Sequence, residues 1–349
     1  MSSIQYFKTG GIVLKKKLCL SISILIVCLV IVEVAPATIK VGLIYDVRGR
    51  GDLSFCDAAY AGAKKASDKW DIKLTEVNPG QSTDTEMALR RLAKLKYDLI
   101  IGVGFLFREP MNRVAVDYPN VNFALIDAVA NPPNVASLIY KAHEGTFLAG
   151  VIAALKTKTK KVGFVGGMKI PLVEAFEIGF NAGIKATNPE IELLVNYVGV
   201  TPQAFDDPAK GKELALAQYN KGADIIIAAA GASGLGVLEA AKQTKKYIIW
   251  VDSNGNGLVP GQVLTSIIKG VELSVYQMIE NVVSDTFIGG VKNYGLKEGG
   301  IEYIVDKDNE KLLSEDILKK VAEFKTKIIA EEIVVPHLRS QTKSAEKRK

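Results

Sequence analysis

Nine residues of this 349-residue sequence stand where a small ligand can be held: Asp46, Phe55, Cys56, Asp57, Asp127, Phe176, Gly231, Asp252 and Lys269. Asp46, Asp127 and Asp252 each close a short apolar run, and Gly231 follows another. In an α/β sheet, ligands sit in the loops that leave the carboxyl ends of strands. Carboxylates at such positions accept hydrogen bonds from hydroxyls or ring N–H groups, which a sugar or a base offers. They are also common helix N-caps, so no single one of them decides the matter. Phe55 stands at a loop-to-helix junction in VGLIYDVRGRGDLSFCDAAY, residues 41–60. A flat apolar ring there, beside helix N-terminal N–H groups and carboxylates, suits a planar, hydroxyl-rich ligand better than a phosphate. A hydrophobic staple is the competing reading. Phe176 follows the turn Gly166–Pro171 by about one helical turn and sits beside Glu174 and Glu177, whereas Phe180 reads as core. Lys269 is expected at the start of a helix, where a cation opposes the macrodipole. That placement hints at use, against the default of a solvated lysine.

Other chemistries are excluded by residue supply. The only histidines are His143 and His337, and of the three cysteines Cys19 and Cys28 lie in an apolar leader, leaving Cys56 alone in the body. No disulfide framework, metal cluster or histidine-based triad can be built from that set. GASGLG, residues 231–236, lacks the G-x-G-x-x-G order and has no lysine–serine pair after it, and KVGFVGG is no better, so no cofactor is implied. The formal charge of +6 sits at the ends: residues 1–37 carry +3 and residues 337–349 carry +4, which leaves the body between them at −1. A body so near neutral gives no reason to expect nucleic acid as a partner.

The elements that must position these residues alternate strand and helix. Lys15–Lys17, the apolar run 18–32 and the A-x-A pattern at 35–37 form a signal peptide or N-terminal anchor, with its functional start expected near Val13. Cys28 is preceded by Val27 where a lipobox has a small residue. From Thr38 strands are expected at 39–45, 73–78, 98–103 and 122–127, with helices between them at 55–70, 83–94 and 110–118. The pattern restarts with a helix at 144–156, strands at 161–165, 192–197, 224–230 and 247–252, and helices at 172–186, 209–222 and 236–244. A strand at 262–266, a helix at 270–286, a strand at 301–305 and a helix at 314–329 complete it. Short apolar strands separated by helices predict parallel sheets in two α/β lobes of similar size. The residues after 335 are polar, basic and aperiodic, so 336–349 is expected to be a disordered tail.

In sequence order, YDVRGRGDLSFCDAAYAG, NFALID, GFVGGMKIPLVEAFEIGFNAG, DIIIAAAGASGLGV, IIWVDSN and LTSIIKG resemble the motifs of the basic membrane protein (BMP) family over residues 38–335. Members are substrate-binding components of ABC importers, several of them for purine nucleosides. The resemblance implies a periplasmic-binding-protein type I fold, with two doubly wound lobes, 38–143 with 258–293 and 144–257 with 294–335, joined by three crossings. It implies that Phe55 and Phe176 stack on the two faces of a base. Asp127, with Asp46 and Asp57, would meet the base edge, and Gly231, Asp252 and Lys269 the ribose hydroxyls. The family usually has asparagine where this chain has Cys56, and a thiol cannot supply a carboxamide's paired donor and acceptor. The implied protein is a monomeric extracytoplasmic receptor, not an enzyme. It closes by hinge motion on a nucleoside and hands it to the permease subunits of an ABC transporter in the membrane. Alternatives are a sugar or other small polar solute, a ligand sensor of the same fold, a doubly wound enzyme such as a nucleoside hydrolase or dehydrogenase, and a transcriptional regulator. The leader, the lack of a cofactor fingerprint and the histidine count oppose the enzyme, and the absence of a helix-turn-helix before Thr38 opposes the regulator.

Overall fold

The structure, a computed structural model, describes residues 38–46, 48–80 and 84–340. The leader, with Cys19 and Cys28, and the basic residues 341–349 lie outside the described residues. The strands are β1 (Ile39–Tyr45), β2 (Ile72–Val77), β3 (Leu99–Val103), β4 (Asn122–Ile126), β5 (Val135–Tyr140), β6 (Lys161–Met168), β7 (Glu192–Gly199), β8 (Ile225–Ala229), β9 (Tyr247–Asp252), β10 (Val263–Lys269), β11 (Gly290–Tyr294) and β12 (Ile301–Tyr303). The helices are α1 (Phe55–Ser67), α2 (Thr85–Lys94), α3 (Arg108–Asp117), α4 (Ala142–Lys156), α5 (Pro171–Thr187), α6 (Pro208–Asn220), α7 (Ser233–Thr244), α8 (Val271–Val283) and α9 (Glu315–Ile329).

Two six-stranded sheets result, ordered β11-β5-β4-β3-β1-β2 and β12-β10-β9-β8-β6-β7. All pairings are parallel except β10 with β12. Every residue of β3 (LIIGV) and β8 (IIIAA) is buried. Such strands have no polar face to turn to water, so helices must cover both sides of each sheet. In both sheets the second strand of the lobe lies outside the first and the third inside it. This doubly wound order opens its ligand crevice between the first and third strands. That crevice lies at the carboxyl ends of β1 and β3 in one sheet and of β6 and β8 in the other.

The covering helices pack backbone to backbone. A Cβ added at Gly183 of α5 would overlap the Phe147 carbonyl oxygen of α4, and one at Gly62 of α1 would overlap the Glu272 carbonyl oxygen of α8. Such contact leaves little room to slide, because close-packed interiors resist small displacements. It therefore fixes α1 and α5, the helices that carry Phe55 and Phe176.

The chain passes between the sheets three times, after Tyr140, after Lys269 and after Tyr294. The crossings lie side by side, tied by Lys141 N–H to the Tyr294 carbonyl at 2.8 Å and Gly270 N–H to the Gly300 carbonyl at 2.7 Å. The return to the first lobe therefore begins at Gly270 and not at 258, because β10 pairs with β9 in the second sheet. β5 and β11 were not anticipated. β11 is an edge strand whose Val291 is exposed, so no apolar run signals it. The expected disordered tail also starts too early. Arg339 pairs with Glu174 at 2.6 Å and Glu177 at 3.0 Å, and the His337 ring lies 4.9 Å from that of His143. Glu177 is a nearly buried carboxylate, and a buried charge needs a partner. Among the described residues no helix is long and apolar enough to cross a membrane.

Candidate functional site

Eight of the nine expected residues line one cleft between the lobes, a cavity of about 720 Å³ counting its mouth. The first lobe supplies Asp46, Phe55, Cys56 and Asp127, and the second supplies Phe176, Gly231, Asp252 and Lys269. Asp57 does not line it. Its carboxylate accepts from Gly51 N–H at 3.0 Å and Leu53 N–H at 2.9 Å and so braces the loop that leads into α1.

Each residue arrives by a local device. Asp127 and Asp252 directly follow or end their strands with left-handed backbones, φ 69° and 71°. Aspartate tolerates that region better than most residues, and such conformations gather where side chains are aimed at a ligand. Gly104, at φ 117°, leaves room over which the Asp46 carboxylate lies, since a Cβ there would overlap Asp46 Oδ2. Asp52 was not anticipated. It is buried, lines the cleft and accepts from the N–H groups of Ser54 at 3.0 Å, Cys56 at 2.8 Å and Asp57 at 3.2 Å. It thus caps α1 and holds Phe55 and Cys56 at the helix entrance. An aspartate three residues before a helix was the available signal.

Lys269 ends β10, which runs on past the expected strand end at Ser266, and only Gly270 separates it from α8. Its ammonium lies 2.5 Å from Asp127 Oδ2, and both side chains are 5% exposed. The same ammonium lies 4.6 Å from the ring centre of Phe55, 5.2 Å from that of Tyr140 and 5.9 Å from that of Phe176. One cation thus joins a ring of each lobe, at distances where ring quadrupoles attract it. The Tyr140 hydroxyl meets Ser274 Oγ at 2.5 Å and its ring stacks on Tyr294, which seats this cluster on the crossing strands.

Burial pushes Asp252 up to about 6, opposed by the charge of Lys269 and the hydrogen bond from Ser54. Burial also raises Asp52, opposed by its three backbone donors. Burial, followed by the charges of Asp46 and Asp52, pushes the Cys56 thiol well up, so it stays a protonated, weakly donating thiol. Asp127 Oδ1 and Asp252 Oδ1 are buried without a hydrogen-bond partner among the described residues. Buried acceptors are rarely left so, and these two fit a ligand that donates. No group of histidine, cysteine and acidic residues able to hold a metal occurs among the described residues.

The lobes touch across the mouth of the cleft. Arg48 meets Asp206 at 2.6 Å, and the rings of Phe105 and Phe205 lie edge to face at 6.4 Å. The carbonyl of Leu53 accepts from Trp250 Nε1 at 3.1 Å and Ser253 Oγ at 2.6 Å. Ser54 Oγ lies 2.9 Å from Asp252 Oδ2. Phe105, Phe205 and Ser54 were not anticipated, because each acquires its place only through the facing lobe.

Comparison with known proteins agrees with this architecture. Residues 39–339 match the family model described as ABC transporter substrate-binding protein PnrA-like, Bmp. Basic membrane protein A2 of Borrelia garinii subsp. bavariensis is 35% identical over 295 residues, 82% of this chain and 85% of that protein. A protein of Pyrococcus horikoshii named as an uncharacterized lipoprotein is 36% identical over 282 residues, 76% of this chain and 69% of its own. The crystal structure of a solute-binding protein of an ABC transporter system from Aeropyrum pernix superposes with a TM-score of 0.80 at 31% identity, covering 88% of this chain and 96% of that one. A fold of two parallel-dominated lobes with its crevice at the strand ends is that of the type I periplasmic binding proteins. The family's role is extracytoplasmic solute binding, with a ligand and a membrane permease as partners, and its members are binding proteins. This chain belongs to the Bmp family of PnrA-like substrate-binding proteins of ABC transporters.

Proposed function

We propose that the solute is a nucleoside, purine in preference to pyrimidine, captured for uptake as the two lobes close. Phe55 and Phe176 stack on its base, Asp127 and Asp46 accept from the base edge, and Gly231, Asp252 and Lys269 meet the ribose hydroxyls. The observation that carries this reading is the pairing of ring and carboxylate on each lobe. Phe55 stands with Asp127 on one side and Phe176 with Asp252 on the other, around the single ammonium of Lys269. On this reading a planar base lies between the rings, and the two unpartnered carboxylate oxygens accept from ligand donors. Cys56 adds little to base recognition, since a buried protonated thiol is a weak donor.

The test is calorimetry and thermal shift on protein freed of carried-over ligand by mild unfolding, with adenosine, guanosine, inosine, cytidine and ribose. A ligand that binds only the native state raises its apparent stability, by about 2.7 kcal/mol at a hundredfold excess over Kd. Phe55→Ala is expected to weaken purine nucleosides by about ten- to hundred-fold, the worth of one base–ring stack. Binding of ribose alone, or of none of the five, overturns the nucleoside reading.

A further inference from the structure

Ser54 and Asp252 face each other across the cleft, one on the loop that leads into α1 and the other at the end of β9. Both are buried. The Ser54 hydroxyl lies 2.9 Å from Asp252 Oδ2 and 3.1 Å from the Val251 carbonyl. It has one hydrogen to give, and a carboxylate is the stronger acceptor. The other oxygen, Asp252 Oδ1, has no partner among the described residues. Ser54 is itself held from both sides. Its N–H donates to Asp52 Oδ1 at 3.0 Å, and the carbonyl before it is gripped by Trp250 and Ser253 of the opposite lobe. The hydroxyl reaches Asp252 only where the lobes meet.

We propose that Ser54 is a positioning residue that couples closure to recognition. When the lobes meet, its hydroxyl anchors one oxygen of Asp252 and turns the other to a hydroxyl of the ligand. The inference rests on the reading that Asp252 meets a ribose hydroxyl. It predicts that recognition of ligand hydroxyls is completed by closure and is not preformed on the open lobe. The charged groups around Asp252 are Lys269 from β10, Asp127 from the first lobe and Asp52 from the loop before α1. Lysine favours the ionised carboxylate, and the two aspartates oppose it. The Ser54 hydrogen bond also favours ionisation, so its loss moves the Asp252 titration to higher pH, an effect that loosened packing alone would not produce.

The experiment compares the full chain with its Ser54→Ala, Ser54→Thr, Asp252→Asn and Ser54→Ala/Asp252→Asn variants. Binding of adenosine and of 2′,3′-dideoxyadenosine is measured by calorimetry, and the Asp252 carboxyl is titrated by ¹³C NMR with adenosine bound, which holds the lobes together. Ser54→Ala should weaken adenosine by about ten- to hundred-fold, the worth of a hydrogen bond to a charged group, and leave the dideoxy compound unchanged. Ser54→Thr should recover most of the loss, and Ser54→Ala should add nothing in the Asp252→Asn background. In the adenosine complex the Asp252 carboxyl should titrate at higher pH in Ser54→Ala than in wild type, and no shift overturns the proposal. Equal weakening of both compounds, or independent effects of the two substitutions, overturns the proposal. If the wild-type chain binds no nucleoside, the nucleoside reading falls. This proposal, which rests on that reading, then falls with it, whereas tight adenosine binding that Ser54→Ala leaves intact overturns this proposal alone.

Discussion

Removing the ammonium of Lys269 tests most directly how this cleft is held together. The pair with Asp127 spans the lobes at 2.5 Å with both side chains 5% exposed. Desolvating two charges costs several kcal/mol each, and their attraction offsets this only if the remaining lone pairs are also satisfied. Asp127 Oδ1 is not satisfied within the described residues, so the pair is not optimised for stability. Lys269→Met strands a buried carboxylate, which typically costs 3–5 kcal/mol. Opening of the lobes returns Asp127 to water, so the loss should lie toward about 3 kcal/mol. Asp127→Asn should cost less, about 1–2 kcal/mol, because Lys269 keeps the neighbouring charge of Asp252. The double variant buries neither charge and should be more stable than Lys269→Met alone. Urea titrations followed by circular dichroism, restricted to variants with unchanged m values, measure each cost. A coupling of about 2 kcal/mol between the two substitutions is expected. Additivity to within about 0.5 kcal/mol would refute the argument, because it would mean that the two charges do not meet.

Two further outcomes follow from the same geometry. Asp252 is raised to about 6 from 3.8, so between those values the folded protein keeps a proton that the unfolded chain has released. The resulting stabilisation is complete below pH 3.8 and lost as pH rises through about 6; it amounts to about 3 kcal/mol. The stability of wild type relative to Asp252→Asn, measured by urea titration, should therefore fall by most of that amount between pH 4 and pH 7, and a flat difference would contradict the burial argument. Gly183→Ala should destabilise by about 2 kcal/mol or more, since the added methyl meets the α4 backbone and not a movable side chain. A variant that melts within a degree of wild type would show that α4 and α5 can part.

Much of the fold was legible because its signals are local. Continuous apolar runs such as DLIIGV and ADIIIAAA mark strands covered on both faces, and the helices between them show their stripes within a few turns. The cleft-facing ends of β1, β4, β8 and β9 were legible for the same reason, since an acid or glycine closing an apolar run is visible within a handful of residues. Signals of weak amphipathicity failed. β11 has little apolar content, and the return to the first lobe was placed at 258 although the chain stays in the second sheet until Lys269. Lys269 was singled out for standing at a helix start, whereas it is the last residue of β10, just before α8.

The sequence alone determined the alternation of strand and helix, the parallel α/β class and the acids and aromatics that gather near the strand ends, because each depends on residues close along the chain. Only the tertiary structure decided which of these groups meet. Asp127 finds Lys269 142 residues away, and Ser54 finds Asp252 at a separation of 198. It also separated Asp57, which braces a loop, from Asp52, which caps α1 and lines the cleft. Both are aspartates in one short segment, and nothing in their spacing tells them apart. The difference lies in the direction of the chain through the turn and in the lobe that closes over it, and those are set by the packing of the whole fold.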